Sequence, residues 1–184
     1  DIISQKGKIE GEIRIWIAGC ATGEEAYSIA IMLSEYLGNR ASRYKIQIFG
    51  TDLYDGVLSI ARQARYPKAA VVDIEPRLLD KYFIQKDGAY QLNQTIRNMV
   101  LFARHDLVRD PPFSHLDLVS CRNVLIYFNQ NLQRKVLESF HYALETGGIL
   151  FLGKSEAIGN AENLFTTVDR KARMYRRRGD VKGH

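Results

Sequence analysis

The sequence predicts an α/β domain: a doubly wound, mostly parallel sheet with an antiparallel hairpin at one edge. Three observations carry this expectation. Short apolar runs alternate with amphipathic helical stretches along most of the chain, the pattern of strands joined by crossover helices. Polar, chemistry-bearing residues follow four of those runs directly, where open α/β sheets bind their ligands. The chain also closes on two strand-like runs with no helix between them, and parallel neighbours need a longer crossover than that.

Taken in order, residues 1–12 (DIISQKGKIEGE) read as a linker or the remnant of an N-terminal region. IRIWIAG (13–19) is a short β-branched and aromatic run, hence a buried strand. EEAYSIAIMLSEYLG follows with Ala26, Ile29, Ala30, Leu33 and Leu37 at helical spacing and Gly38 as a stop. Thr22 and Glu25 have capping-box spacing at its start. KIQIFGTD (45–52) is a second strand ending in an acid, and DGVLSIARQARY a second helix halted before Pro67. EPRLLDKYF reads as helix and FIQKDGAYQLN as a hairpin around Asp87-Gly88. NMVLFARHD (98–106) and HLDLVS (115–120) are the third and fourth strands. NQNLQRKVLESFHYAL is an amphipathic helix with Leu132, Val136, Phe140 and Leu144 on one face, ended by Gly147-Gly148. GILFLGKSE, LFTTVD and ARMYRRR close the chain as strands.

Composition excludes several classes. The 184 residues are 46% apolar and 26% charged, the mix of a globular domain of ordinary size. No apolar run approaches the ~20 residues a membrane span needs. The start resembles no signal peptide, so the expected setting is cytoplasmic, without membrane insertion. Cys20 and Cys121 lie too far apart in sequence for a zinc pattern or a disulfide framework, and His105, His115, His141 and His184 show no ligand spacing. No metal is expected. The net charge of +5 is concentrated: residues 170–184 hold seven Lys/Arg and one Asp, so the rest nets −1. A basic tail on a near-neutral body reads as a solvated edge rather than a phosphate-binding device, and no nucleic acid is expected as partner.

The most informative stretch is GCATGEEAYSIA (19–30), a glycine loop between the first strand and its helix. A dinucleotide fingerprint would want G-x-G-x-x-G and bare amides at the helix start. Here three residues separate Gly19 from Gly23, and Glu24-Glu25 follow at once. Two carboxylates repel a pyrophosphate and suit a cation. S-adenosylmethionine fits: an ammonium, a sulfonium, a ribose and an adenine, with no phosphate. A carboxylate can hold the ammonium through a charge-assisted hydrogen bond, and Asp52, after the second strand, can hold the ribose hydroxyls. Glu25 alone reads equally as a helix cap, and Glu24 as a solvated first-turn acid.

With GCATGEEAYSIA, the GTD of the second strand, HDL, SCRNVLIYF and GKSE in place, the chain resembles the chemotaxis receptor methyltransferases of the CheR type over about residues 13–178. The phrasing ARHDLVRDPPFSHLDLVSCRN is closest to CheR modules of multidomain signalling fusion proteins. The resemblance implies a class I, Rossmann-like methyltransferase with a small inserted β subdomain at about 68–97 and a tail at 179–184. It implies methyl transfer from S-adenosyl-L-methionine to a chemoreceptor glutamate, leaving S-adenosyl-L-homocysteine and a glutamyl methyl ester. By motif position Gly19, Thr22 and Glu25 belong to the cofactor loop, Glu25 meeting the ammonium. Asp52 matches the ribose ligand. Asp106 and Leu107 match the pair beside the adenine, where the best-known members carry Asn for Asp106. Arg122 and Asn123 line the pocket, and Tyr127 lies near the transferred methyl, with Arg122 as a cationic partner in orienting the substrate carboxylate. The family carries a helical N-terminal domain, whereas about twelve residues precede the first strand here. The expectation is a fragment that binds cofactor weakly and catalyses poorly.

Two rival readings accompany this one. A non-catalytic module of a fusion protein could bind the cofactor or a partner and only relay a signal. Alternatively, Asp110-Pro111-Pro112-Phe113 resembles the DPP[YF] motif of nucleic-acid amino-methyltransferases. That motif should follow the fourth strand, and here it precedes it.

Overall fold

The computed structural model describes residues 11–179, so the expected linker falls partly, and the expected tail almost wholly, outside the described residues. Seven strands form one sheet: β1 (Glu12–Ala18), β2 (Lys45–Asp52), β6 (Val100–Arg104), β7 (Leu116–Cys121), β8 (Leu144–Leu152), β9 (Phe165–Asp169) and β10 (Met174–Arg177). Their spatial order is β6-β2-β1-β7-β8-β10-β9. β6, β2, β1, β7 and β8 run parallel, while β10 pairs antiparallel with β8 and with β9. This is the doubly wound order with its last strand inserted antiparallel between β8 and the edge strand β9.

The sequence alternation decides which face each residue serves. Ile13, Ile15 and Ile17 of β1 point into one core, with Ala26, Tyr27 and Ala30 of α1 (Glu24–Leu37) and Leu58 and Ala61 of α2 (Asp55–Gln63). Trp16 and Ala18 point the other way, toward Val136, Leu137 and Phe140 of α5 (Gln130–Ala143) and toward Phe165 and Tyr175 of the hairpin. Period-two alternation in a strand covered on both faces thus feeds two cores. Each fully buried large side chain contributes about 1.5–3 kcal/mol. Trp16 is 1% exposed, and its indole N–H donates to Thr51 Oγ1 at 2.8 Å, which removes the cost of an unpaired buried donor.

A second sheet has three strands in the order β3-β5-β4: β3 (Arg65–Pro67), β4 (Phe83–Lys86) and β5 (Ala89–Leu92). Two short helices, α3 (Pro76–Tyr82) and α4 (Gln94–Arg97), flank the β4–β5 hairpin. The second helix ends sooner than its spacing predicts, at Gln63. Ala64 turns left-handed (φ 53°), and Arg65–Pro67 then pairs with β5. On α1, Glu35 ties this unit to the main body, accepting from Arg77 Nη1 (2.6 Å), Lys81 Nζ (2.7 Å) and Tyr82 Oη (2.8 Å). The hydrogen bonds from Lys81, Tyr82 and Arg77 lower the Glu35 pKa to about 2.

Two local expectations are corrected. The Gly147-Gly148 pair does not end α5. The helix stops at Ala143, and Leu144, 1% exposed, is already extended and pairs with Leu116. The glycines lie inside β8, where the register against β7 shifts and Gly147 takes φ +82°. Nor does Thr22 cap α1: the N-cap is Gly23 at φ 94°, with no side-chain hydrogen bond. A Cβ on Gly23 would sit 3.0 Å from both Ala61 Cβ and the Phe102 ring, so close packing of the helix start selects glycine over a capping side chain.

Candidate functional site

The parallel strands β6, β2, β1 and β7 all end at one edge of the sheet, and the four segments that follow them line a cavity of about 980 Å³. This is the upper end of the size range of small-molecule sites, about 300–1,000 Å³. The sheet creates it, because the connection after β1 leads to β2 on one side while that after its neighbour β7 leads to β8 on the other, which opens a crevice between them.

The β1 end supplies Gly19, Glu24 and Glu25. Gly19 has φ +71°, and a Cβ there would overlap Val124 Cγ2, so the loop passes bare against the segment after β7. Glu25 does not turn back to cap the helix. It accepts a hydrogen bond from the fully buried Ser120 hydroxyl on β7, which draws its carboxylate onto the cavity floor. Thr22 is absent from the cavity wall: its hydroxyl donates to both Glu24 oxygens (2.5 and 2.6 Å), and its carbonyl accepts from Tyr66 Oη at 2.7 Å. Its side chain instead orients Glu24, which does line the cavity.

At the β2 end, Asp52 bridges two loops. One carboxylate oxygen accepts from Ala21 N at 3.0 Å and the other from Tyr54 N at 3.2 Å. The side chain is thereby held beside the cavity, with lone pairs left for a ligand hydroxyl.

The β6 end supplies His105, Asp106 and Leu107. Asp106 accepts from Val108 N (2.9 Å) and Arg109 N (3.1 Å), and these backbone bonds, Val108 foremost, hold its pKa below the ordinary carboxylate value. Asp110 accepts from Asp106 N at 2.8 Å, and Pro111 O accepts from His105 Nε2 at 2.9 Å, which places the ring proton on Nε2. Phe113 stacks on Phe49 and meets the edge of Trp16. The Asp110–Phe113 motif is thus spent on closing its own loop: its acid caps, its proline carbonyl accepts and its phenyl ring packs.

The β7 end supplies Arg122, Asn123 and Tyr127. Asn123 is left-handed (φ 62°), and Arg122 lies over the Phe151 ring at 4.9 Å with its Nε buried and unpartnered. Residues Leu125–Tyr127 form one 3₁₀ turn that leaves Tyr127 81% exposed on the cavity rim. An aromatic in an apolar run is ordinarily core, so this exposure is informative. The turn is fixed by Glu156, 4% exposed, which sequence reasoning gave no role. Its Oε1 accepts from Asn123 N (2.6 Å) and Gly153 N (3.0 Å), and its Oε2 from Val124 N (3.1 Å) and Leu125 N (2.6 Å). The only local signal was an acid just beyond the apolar run GILFLG. No spacing rule joins it to residues 30 positions earlier.

Four carboxylates, Glu24, Glu25, Asp52 and Asp106, face one arginine across this space. The field favours a cation and opposes a phosphate. Burial pushes the Cys20 thiol up to about 12 and the Cys121 thiol well above its ordinary value, so both remain neutral, small packing residues under the cavity. Among the described residues no group of three or more His, Cys, Asp or Glu could hold a metal ion. No described helix is long and apolar enough to cross a membrane.

Comparison with known proteins bears on this cavity. A family model described as the S-adenosylmethionine-binding domain of the CheR methyltransferases matches residues 2–174. The chain is 38% identical over 156 residues to a chemotaxis protein methyltransferase of Borreliella burgdorferi, covering 83% of this chain and 55% of that one. It is 36% identical over 165 residues to the chemotaxis protein methyltransferase of Escherichia coli, covering 85% and 56%. An uncharacterised 104.1 kDa protein of Rhodobacter capsulatus is 37% identical over 176 residues, 95% of this chain and 18% of that protein. The chain thus spans about half the length of the chemotaxis relatives and under a fifth of the large one.

Proposed function

The chain belongs to the CheR methyltransferase family, through that family's S-adenosylmethionine-binding domain, and from this premise we propose that it serves transfer of a methyl group to a glutamate side chain of a chemoreceptor-type signalling protein. The observation that carries the reading is the convergence of Glu25, Asp52, Asp106 and Tyr127 on one acid-lined cavity at the switch point of the sheet. On this reading residues 13–178 are the catalytic domain, and the small sheet is an insertion within it.

The donor set fits the cofactor. Gly19 leaves the wall bare where a Cβ would overlap Val124, and the carboxylates suit a ligand that is cationic and carries no phosphate. Glu25, steadied by Ser120, binds the ammonium. Asp52, with each oxygen already anchored to one backbone N–H, keeps acceptor capacity for the ribose hydroxyls. Asp106 stays ionised on its loop and accepts from the adenine amine, with Leu107 and Val108 as apolar wall. When bound, S-adenosylmethionine supplies an electrophilic methyl that leaves with the carboxylate oxygen as ester, the sulfur departing as neutral S-adenosylhomocysteine.

The chain's own part is to bind, align and exclude water. A glutamate carboxylate is already ionised at neutral pH, so no strong base is required. Alignment and desolvation are what such a displacement needs. Tyr127, exposed on the rim, donates to the incoming carboxylate, and Arg122 offers it positive charge. Neither residue removes a proton.

The test is transfer of labelled methyl from S-adenosylmethionine to membranes bearing chemoreceptors, using the parent protein, Tyr127→Phe and Asp52→Ala. We expect base-labile methyl ester with the parent, a large fall in turnover without loss of S-adenosylhomocysteine affinity for Tyr127→Phe, and loss of affinity for Asp52→Ala. Equal turnover in all three would sink the site assignment. Cofactor binding with no transfer to any receptor would leave a relay module in place of an enzyme.

A further inference from the structure

A second cavity, of about 430 Å³, lies away from the strand ends, between the β9–β10 hairpin and the segment that follows β8. One wall is apolar, made by Ala157, Ile158 and Phe165. The other carries Arg170, Arg173 and Arg178, with Thr167 and Tyr175. Antiparallel pairing sets this wall: Thr167 stands opposite Tyr175 in the register, and Arg170 and Arg173 bracket the turn that joins the strands.

Among the described residues none of the three arginines makes an ion pair. Arg173 Nε donates to Lys154 O and Arg178 Nε to Phe165 O, which fixes each stem and leaves the terminal guanidinium nitrogens unspent. The Arg170 side chain makes no hydrogen bond with the described residues. Tyr175 is 3% exposed, lines the cavity, and likewise has no partner for its hydroxyl among the described residues. The hydroxyl itself is not sealed off, so it is open to a ligand in the cavity. Among the described residues Glu162 is the single acid on the lining, so three arginines against one glutamate leave +2. The cavity is far larger than an inorganic anion needs.

From these features we infer that the cavity binds a small phosphate monoester whose body is apolar or aromatic. The dianion matches the +2 lining, the planar guanidinium forks match phosphate oxygens, and the Thr167 and Tyr175 hydroxyls complete the donor set. The Ile158 and Phe165 wall receives the body of the ligand. A carboxylate offers half the charge and a free phosphate leaves the apolar wall bare, so both are weaker ligands. The basic segment that reads as a solvated edge in the sequence is in part folded into this wall. The cavity is also one residue from Glu156, because Ala157–Gly159 continue the segment that holds the rim turn of the first cavity. This inference does not rest on the proposed methyl transfer.

The probe is phenyl phosphate, which has no adenine and so does not mimic the cofactor. It is titrated into the ¹⁵N-labelled chain at constant ionic strength and compared with inorganic phosphate and benzoate. Expected are saturable one-site shifts confined to amides around Thr167, Arg170 and Tyr175, with binding about fivefold or more tighter than for either comparator. Arg170→Gln removes a side chain without hydrogen bonds to the described residues, so the fold is expected to survive, and binding is expected to weaken about fivefold or more. Tyr175→Phe is the second variant, expected to weaken binding without shifting the thermal midpoint. Shifts spread over all basic surfaces, equal binding of the three anions, or unchanged affinity in both variants would overturn the inference.

Discussion

Replacing Glu156 by Gln tests whether one buried carboxylate holds the rim of the main cavity. Each Glu156 oxygen takes two backbone N–H groups, at 2.6 and 3.0 Å on one and 2.6 and 3.1 Å on the other. An amide NH₂ in place of either oxygen turns two acceptor contacts into donor-to-donor contacts. An unsatisfied buried donor costs about 1–3 kcal/mol, so two cost roughly 2–6 kcal/mol. For a chain of this size each kcal/mol lowers the thermal midpoint by about 2–4 °C, so a cost near the middle, about 4 kcal/mol, predicts a fall of about 8–16 °C. The segment 122–128 can also yield locally. In that case the midpoint falls less, and S-adenosylhomocysteine affinity falls instead, by about tenfold for each 1.4 kcal/mol. Scanning calorimetry and isothermal titration on Glu156→Gln and Glu156→Ala separate these routes. A midpoint within about 2 °C of the parent together with unchanged affinity would refute the reasoning.

Three further perturbations follow from the geometry. Gly19→Ala forces a left-handed alanine, about 1–2 kcal/mol, and drives its methyl into Val124; titration should show weakened S-adenosylhomocysteine binding with a modest drop in midpoint. Ser120→Ala releases Glu25 into the open cavity, where water can replace the hydroxyl, so the midpoint should hardly move while cofactor affinity falls about three- to tenfold. Glu35→Gln probes the tie between α1 and the small unit. Because the folded pKa of Glu35 is depressed to about 2, its contribution is fully present above the ordinary carboxylate range and is lost as pH falls from about 4.5 toward 2. Melting curves of parent and Glu35→Gln should therefore differ at pH 7 and converge near pH 2, and a constant gap across that range would contradict the assignment.

The element order was legible because each strand and helix is written locally. The alternation in IRIWIA assigns residues to two faces without reference to anything distant, and the acids after β1 and β2 mark a ligand edge for the same reason. Motif words added the family, and with it the roles tested above. Local signals misled where packing overruled them. A threonine three residues before a glutamate reads as a capping box, yet the helix start lies too close to Ala61 and Phe102 for anything but Gly23 at the cap. A Gly-Gly pair after an amphipathic run reads as a helix stop, yet Leu144 is needed against Leu116 and the glycines fall inside β8. The DPPF stretch resembles a base clamp only in its letters: its place before the fourth strand already argues against that reading, and its phenyl ring packs against Phe49 and Trp16.

By itself, then, the sequence determined the two-faced strands, their alternation with helices and the acidic loop that turns away phosphate, since these depend on neighbours within a few positions. Only the tertiary structure decided that Glu25 faces Ser120 rather than its own helix, that Glu156 anchors a turn 30 residues upstream, that Tyr127 stands exposed on the rim and that three arginines enclose a second cavity. The Glu25–Ser120 and Glu156 contacts join segments far apart in the chain. A buried polar group must find its partner wherever the fold brings one, and no local pattern records where that will be.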